Sequence, residues 1–112
     1  MIEVEDRYLP PRPPLGDLVT RLRAVVLEHE HVLRAYVVHW RKRIVVDGGE
    51  RERERTGVFV ELRGRARGRH LDAVQRDLWS AFGPRYWVSL GNHEPPREVR
   101  EVALVAYERG RE

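Results

Sequence analysis

The sequence predicts an α+β fold, an antiparallel sheet organised around one long β-hairpin with two amphipathic helices on one face. Three observations predict it. Two β-rich runs between Val32 and Arg63 are joined by Asp47-Gly48, a dipeptide suited to a two-residue hairpin turn. Apolar residues recur at helical spacing on both sides of that hairpin, first from Leu15 and again from Leu71. The chain has 112 residues, 41% hydrophobic and 35% charged, which suits one domain with a modest core and a heavily charged surface.

Residues 1–14 read as a proline-rich arm. Pro10, Pro11, Pro13 and Pro14 remove amide donors and favour a polyproline-II path, so Tyr8 to Pro14 suit neither a helix nor a central strand. Arg7, Pro10 and Pro13 spell the R-x-x-P-x-x-P pattern that SH3 grooves read, but the preferred reading is a stiff arm packed on its own domain or a neighbouring subunit. The domain proper is placed at 15–112. Its first helix buries Leu15, Leu18, Val19, Leu22, Val25 and Val26, leaves Arg21, Arg23 and Glu28 outside, and fades at His29 to His31.

The hairpin allows a register to be fixed. With Asp47 and Gly48 as the turn, both expected to take positive φ, Val46 faces Gly49 and each opposing pair sums to 95. Arg43 then faces Glu52, Arg41 faces Glu54 and Arg34 faces Glu61, while Val37 meets Val58, Tyr36 meets Phe59 and Ala35 meets Val60. A one-residue slip would set Arg41 against Arg53 or Arg55. Lys42 facing Arg53 is the one discordant pair. Trp40 faces Arg55, which predicts a cation–π contact. The base of the hairpin reads as core. Its outer half, residues 40–55, reads as a two-stranded ribbon too charged to bury and too isolated to stand without support.

Gly64 to Arg69 is a loop. A second helix follows, with Leu71, Val74, Leu78, Ala81 and Phe82 inward and Gly83-Pro84 as its stop. Arg85 to Leu90 reads as a third strand, with Tyr86 and Val88 on one face and Trp87 and Ser89 on the other. Gly91 to Pro96 is a turn, and Arg97 to Tyr107 fits a short helix or a strand.

Pro14-Leu15 opening the first helix, followed by Val32-Leu33-Arg34-Ala35-Tyr36-Val37, resembles the start of the C-terminal domain of the enhanced-serine-sensitivity (SseB-like) bacterial proteins. Gly57 to Leu62, Trp87-Val88-Ser89-Leu90 and Val105-Ala106-Tyr107-Glu108-Arg109 resemble its later strands and its ending. Ala106 stands where that ending has an aromatic, and the ribbon tip is more charged. The resemblance implies a non-enzymatic domain acting through protein contacts, and it carries over no catalytic residue.

For function, composition excludes more than it selects. The absence of cysteine rules out disulfides, thiolate metal sites and cysteine nucleophiles. No run approaches the ~18 apolar residues of a membrane span, and the acidic start Met1 to Asp6 differs from a secretory signal, so no membrane role and a cytoplasmic location are expected. No G-x-S-x-G, P-loop or H-E-x-x-H is present, and the sequence leans away from an enzyme. Glu94, His93 and Asp72 would make an acid–base set only if they converged. His29 and His31 point apart on a helix, and His39, His70 and His93 fall on other elements, so neither a metal nor another cofactor is expected.

Two functional readings follow. The first is a non-catalytic protein-interaction or assembly domain, self-associating or binding an unidentified protein, with Tyr8, Leu9, Trp40, Ile44 and Val46 as its surface. The alternative is nucleic-acid or polyanion binding. It would use the arginine-rich loop of Arg63, Arg65, Arg67 and Arg69 with the ribbon face of Lys42, Arg51, Arg53 and Arg55. The formal net charge is only +3, so that reading rests on where the arginines fall.

Overall fold

A computed structural model of the protein describes residues 2–64 and 68–109. In chain order the elements are β1 (Glu3–Leu9), α1 (Leu18–Leu27), β2 (Val32–Val46), β3 (Gly49–Leu62), α2 (Arg69–Phe82), β4 (Trp87–Gly91), α3 (Arg97–Val102) and β5 (Leu104–Glu108). The strands form one sheet in the order β1-β2-β3-β4, and β5 also pairs with β2. The sheet is mixed, not antiparallel throughout. Three pairings are antiparallel, but β4 runs parallel to β3 because the connection between them is the crossover helix α2.

The hairpin has the expected register from Val46↔Gly49 down to Arg34↔Glu61, with a bulge between Val32 and Arg34. Its turn differs in detail. Gly48 takes φ of 90°, but no described residue other than glycine has positive φ, so Asp47 does not adopt the left-handed conformation expected of it.

The N-terminal segment corrects the arm reading. Glu3 to Leu9 is a strand that pairs antiparallel with the outer half of β2, from Glu3↔Val45 to Leu9↔His39. The prolines begin only where this strand ends. Arg12 among them reaches Glu54 at 3.4 Å, tying the segment to β3. The outer ribbon is therefore three-stranded and finds its support within the chain. β5 covers the same edge of β2 nearer the base, pairing with Arg34 to Val37. The two readings of residues 97–107 are both realised, one after the other.

Side-chain alternation divides the strands between two cores. On one face Ala35, Val37, Val58, Val60 and Leu62 pack under α1 and α2, which contribute Leu18, Leu22, Val26, Val74, Leu78 and Phe82. Ala106 is buried in the same cluster. The opposite face holds a smaller core of Tyr36, Val38 and Phe59 closed by Val99 of α3. Tyr8 and Trp40 join this second core. Their rings lie 5.3 Å apart, and Trp40 stacks on Phe59 at 5.1 Å. Trp40 can lie flat because Gly57 is beneath it. A Cβ there would come within 2.9 Å of the indole.

Candidate functional site at an open sheet edge

The outer edge of β3 and the edge of β4 differ in what covers them. β4 pairs with Gly57 to Glu61 of β3, so among the described residues the stretch from Gly49 to Thr56 has β2 on one side alone. That stretch reads Gly-Glu-Arg-Glu-Arg-Glu-Arg-Thr. Its acids lie on the helix-side face and are bound across the sheet. Arg41 bonds Glu52, Arg43 bonds Glu50, and Arg41 also reaches Glu54 at 3.5 Å. The closest of these contacts join each arginine to the acid one pair further toward the tip, a diagonal that β-sheet neighbours allow. Beside His39, Arg12 and Arg41, the Glu54 carboxyl is held below the ordinary carboxylate range, chiefly by the hydrogen bond with His39. Arg43 lowers Glu50 in the same way. Charges packed along an edge oppose pairing with a further strand.

β4 has no such cover. Among the described residues it pairs with β3 alone, and Trp87-Val88-Ser89-Leu90-Gly91 contains no charge. Backbone donors and acceptors on its far side are left for a partner. A groove of about 820 Å³ follows this edge. Leu71, Gln75, Arg76 and Trp79 of α2 wall it on one face, and Trp40, Lys42 and Trp87 close it on the other. Trp79 is 62% exposed, an unusual state for so large an apolar side chain. Its ring is fixed against Gly83, where a Cβ would collide with it at 2.5 Å.

The opposite wall is built from packed aromatic rings. Trp40 and Trp87 meet edge to face at 5.5 Å, and the Lys42 ammonium lies 4.9 Å from one ring and 5.0 Å from the other. Trp40 Nε1 donates to Asp6 at 2.9 Å. Arg55 lies over Trp87 at 5.7 Å and donates to the Pro84 carbonyl. The cation–π contact expected between Trp40 and Arg55 is therefore made by Lys42 on Trp40, while Arg55 turns to Trp87. Lys42 facing Arg53 ceases to be discordant because its ammonium points to the indoles.

The residues expected to form an interaction surface are not gathered into one free patch. Tyr8 and Trp40 face inward against Phe59, and Leu9 is half-buried beside His39. Ile44 and Val46 are half-buried near the ribbon tip. Of these five, only Trp40 borders the groove.

The polyanion set is likewise divided. Lys42 and Arg55 are engaged with the indoles, while Arg51 and Arg53 are exposed on the same ribbon face. Arg63 and Arg69 are exposed beyond the other end of β3. From Arg55 to Arg63 the strand covers roughly 26 Å at ~3.3 Å per residue. Arg65 and Arg67 lie outside the described residues.

The candidate acid–base set does not converge. Asp72 lines the large groove, whereas His93 and Glu94 line a separate cavity of about 140 Å³. Glu94 is bound to Arg100 at 3.1 Å. His29 bonds Asp77 at 2.8 Å, and the rings of His31 and His70 lie 4.1 Å apart, a proximity sequence spacing does not reveal. Among the described residues no cluster of three ligand side chains forms. The deepest charge is Glu61, 5% exposed, held by Arg34 at 3.3 Å and by the Tyr36 hydroxyl at 3.4 Å. Arg34 also bonds Glu108 at 3.1 Å, so this network ties β2, β3 and β5 together. Burial, then the Glu61 charge, raises the Tyr36 hydroxyl above its usual range.

Among protein-family models, curated proteins and solved structures, the chain finds no match.

Proposed function

We propose that this is a non-catalytic protein-interaction domain, and that it works by accepting an extended, apolar-faced strand of a protein partner on the open edge of β4. The single observation that carries this reading is an uncharged strand that, among the described residues, is paired on one side only and is set beside an exposed Trp79. An added strand would gain main-chain hydrogen bonds from β4, and its side chains would enter the groove between β4 and α2. The resemblance to the SseB-like C-terminal domain points the same way.

Ser89→Lys tests the reading. It adds a charge to the edge on the face away from α1 and α2, at a half-buried position, so it should leave the thermal midpoint nearly unchanged while abolishing strand capture. Retention of partner binding by this variant would count against the β4 edge.

A second reading, polyanion binding, draws on Lys42, Arg51, Arg53 and Arg55 sharing one ribbon face. Titration of labelled RNA and DNA at several salt concentrations decides it, since phosphate contacts require affinity to fall steeply with salt. Absence of binding at low salt removes it.

A further inference from the structure

We infer that the strand docked on β4 is β4 of a second copy of this chain, antiparallel and centred on Ser89. The inference rests on the open-edge reading above and names its partner.

The five residues of β4 are complementary to themselves. In an antiparallel pair centred on Ser89, Val88 faces Leu90 of the second copy, Trp87 faces Gly91, and Ser89 faces Ser89. Val88 and Leu90 both pack against the helix-side core, so an apolar pair forms on the face that α2 covers. Trp87 lies on the other face, and opposite it Gly91 presents no side chain. A Cβ added at Gly91 would meet only the His93 ring, in ordinary contact at 3.9 Å, so the position itself adds no clash with an indole set opposite it.

The alternatives are poorer. A shift to an odd register would set Val88 opposite Ser89 and bring core-facing and outward-facing side chains together. Moving the centre to Val88 or Leu90 keeps the faces consistent but leaves part of the five-residue strand without a β4 partner.

Charge supports the antiparallel direction. The start of β4 is basic, with Arg85 before it and Lys42 and Arg55 around Trp87. Glu94 follows its end, 58% exposed even while bound to Arg100. Antiparallel pairing sets each basic start beside the other copy's acidic end, whereas parallel pairing would bring two basic starts together. The same two-fold arrangement brings both exposed Trp79 side chains to the joint between the α2 helices, giving apolar area that two short strands alone would lack. The product is one continuous sheet through two domains.

Because the chain has no cysteine, Ser89→Cys carries the sole thiol. Directly facing residues in an antiparallel pair have Cα atoms ~4.5–5.5 Å apart, within disulfide reach. Mild oxidation of Ser89→Cys should give a disulfide dimer in near-complete yield, while Arg97→Cys, on α3 away from this edge, should give little. Sedimentation should show the wild type as a dimer whose association weakens at least about ten-fold in Ser89→Lys, the effect of a charge set into a paired edge. A dimer in which Ser89→Cys fails to cross-link overturns the register. A strict monomer at hundreds of micromolar overturns the second copy as partner. In that case amide exchange separates the two levels. Free exchange of the β4 amides that face away from β3 leaves an open edge for another protein, and protection of those amides refutes the open edge itself.

Discussion

Two edges of this sheet, the outer stretch of β3 and β4, are built on opposite rules. The outer edge of β3 has a charge at each position from Glu50 to Arg55, with its acids bound to Arg41 and Arg43 behind it. The edge of β4 has none, and an exposed tryptophan stands beside it. Both present backbone to a neighbour, so exposure does not distinguish them. The difference lies in where charge is placed, and it teaches that one edge is protected against pairing while the other is left receptive. A third edge illustrates a middle course. Leu104 and Val105 of β5 are 40% and 46% exposed, but Arg23 of α1 donates to the Ala106 carbonyl at 2.6 Å and so covers part of that strand.

The comparison breaks most severely if the ground beneath α2 is removed. Leu78 is fully buried under the groove wall. Leu78→Ala should cost ~2–5 kcal/mol of stability in urea unfolding, and what remains of the β4 groove should lose its helix wall. Gly57→Ala comes next. Its methyl would force the Trp40 ring off the sheet and disturb the Trp40–Lys42–Trp87 assembly, costing about 1–3 kcal/mol. A shift in tryptophan emission should accompany that loss, and an unshifted spectrum would count against the packing described.

Replacing the charges of the protected edge sharpens the comparison. Arg51→Val with Arg53→Val should change monomer stability by less than about 0.5 kcal/mol for each substitution. It should nevertheless create new self-association, seen as light scattering that rises with protein concentration, because an edge whose outward face loses two of its charges becomes a better template. The smallest effect is on titration. Glu50 and Glu54 have carboxyls held below the unfolded value of 4.5 by their Arg43 and His39 partners. Their contribution to stability is present above that value and is lost as pH falls through the lower folded one. Urea midpoints should therefore drop in acid for the wild type and drop less for Glu50→Gln with Glu54→Gln.

The hairpin was legible from sequence because its information is local and redundant. Arg34, Arg41 and Arg43 on one strand meet glutamates of the alternating Glu-Arg run and Glu61 on the other in one register, and Asp47-Gly48 marks the tip. The two long helices were legible from the spacing of their apolar residues for the same reason. β1 was not. Glu3 to Leu9 alternates only weakly, and the prolines that follow draw attention to the segment as an arm although they begin after the strand ends. That one omission turned a supported three-stranded ribbon into a two-stranded one in search of a partner, and placed the interaction surface at Tyr8, Leu9, Trp40, Ile44 and Val46. The β4 groove was illegible because it is made by non-local neighbours. Trp40, Trp79 and Trp87 come from three elements, and the parallel direction of β4 depends on a crossover that no short window contains. The receptive character of β4 does have a trace in the sequence: the uncharged run Tyr86 to Asn92 is rare in a chain this rich in ions.

Residue-resolved amide exchange as a function of protein concentration tests the central claim most directly. Protection at Trp87 to Gly91 should rise as concentration increases, while that at Glu50 to Arg55 stays constant. Protection that rises along the β3 edge, or that is unchanged along β4, would contradict the assignment of β4 as the edge through which copies of this chain join.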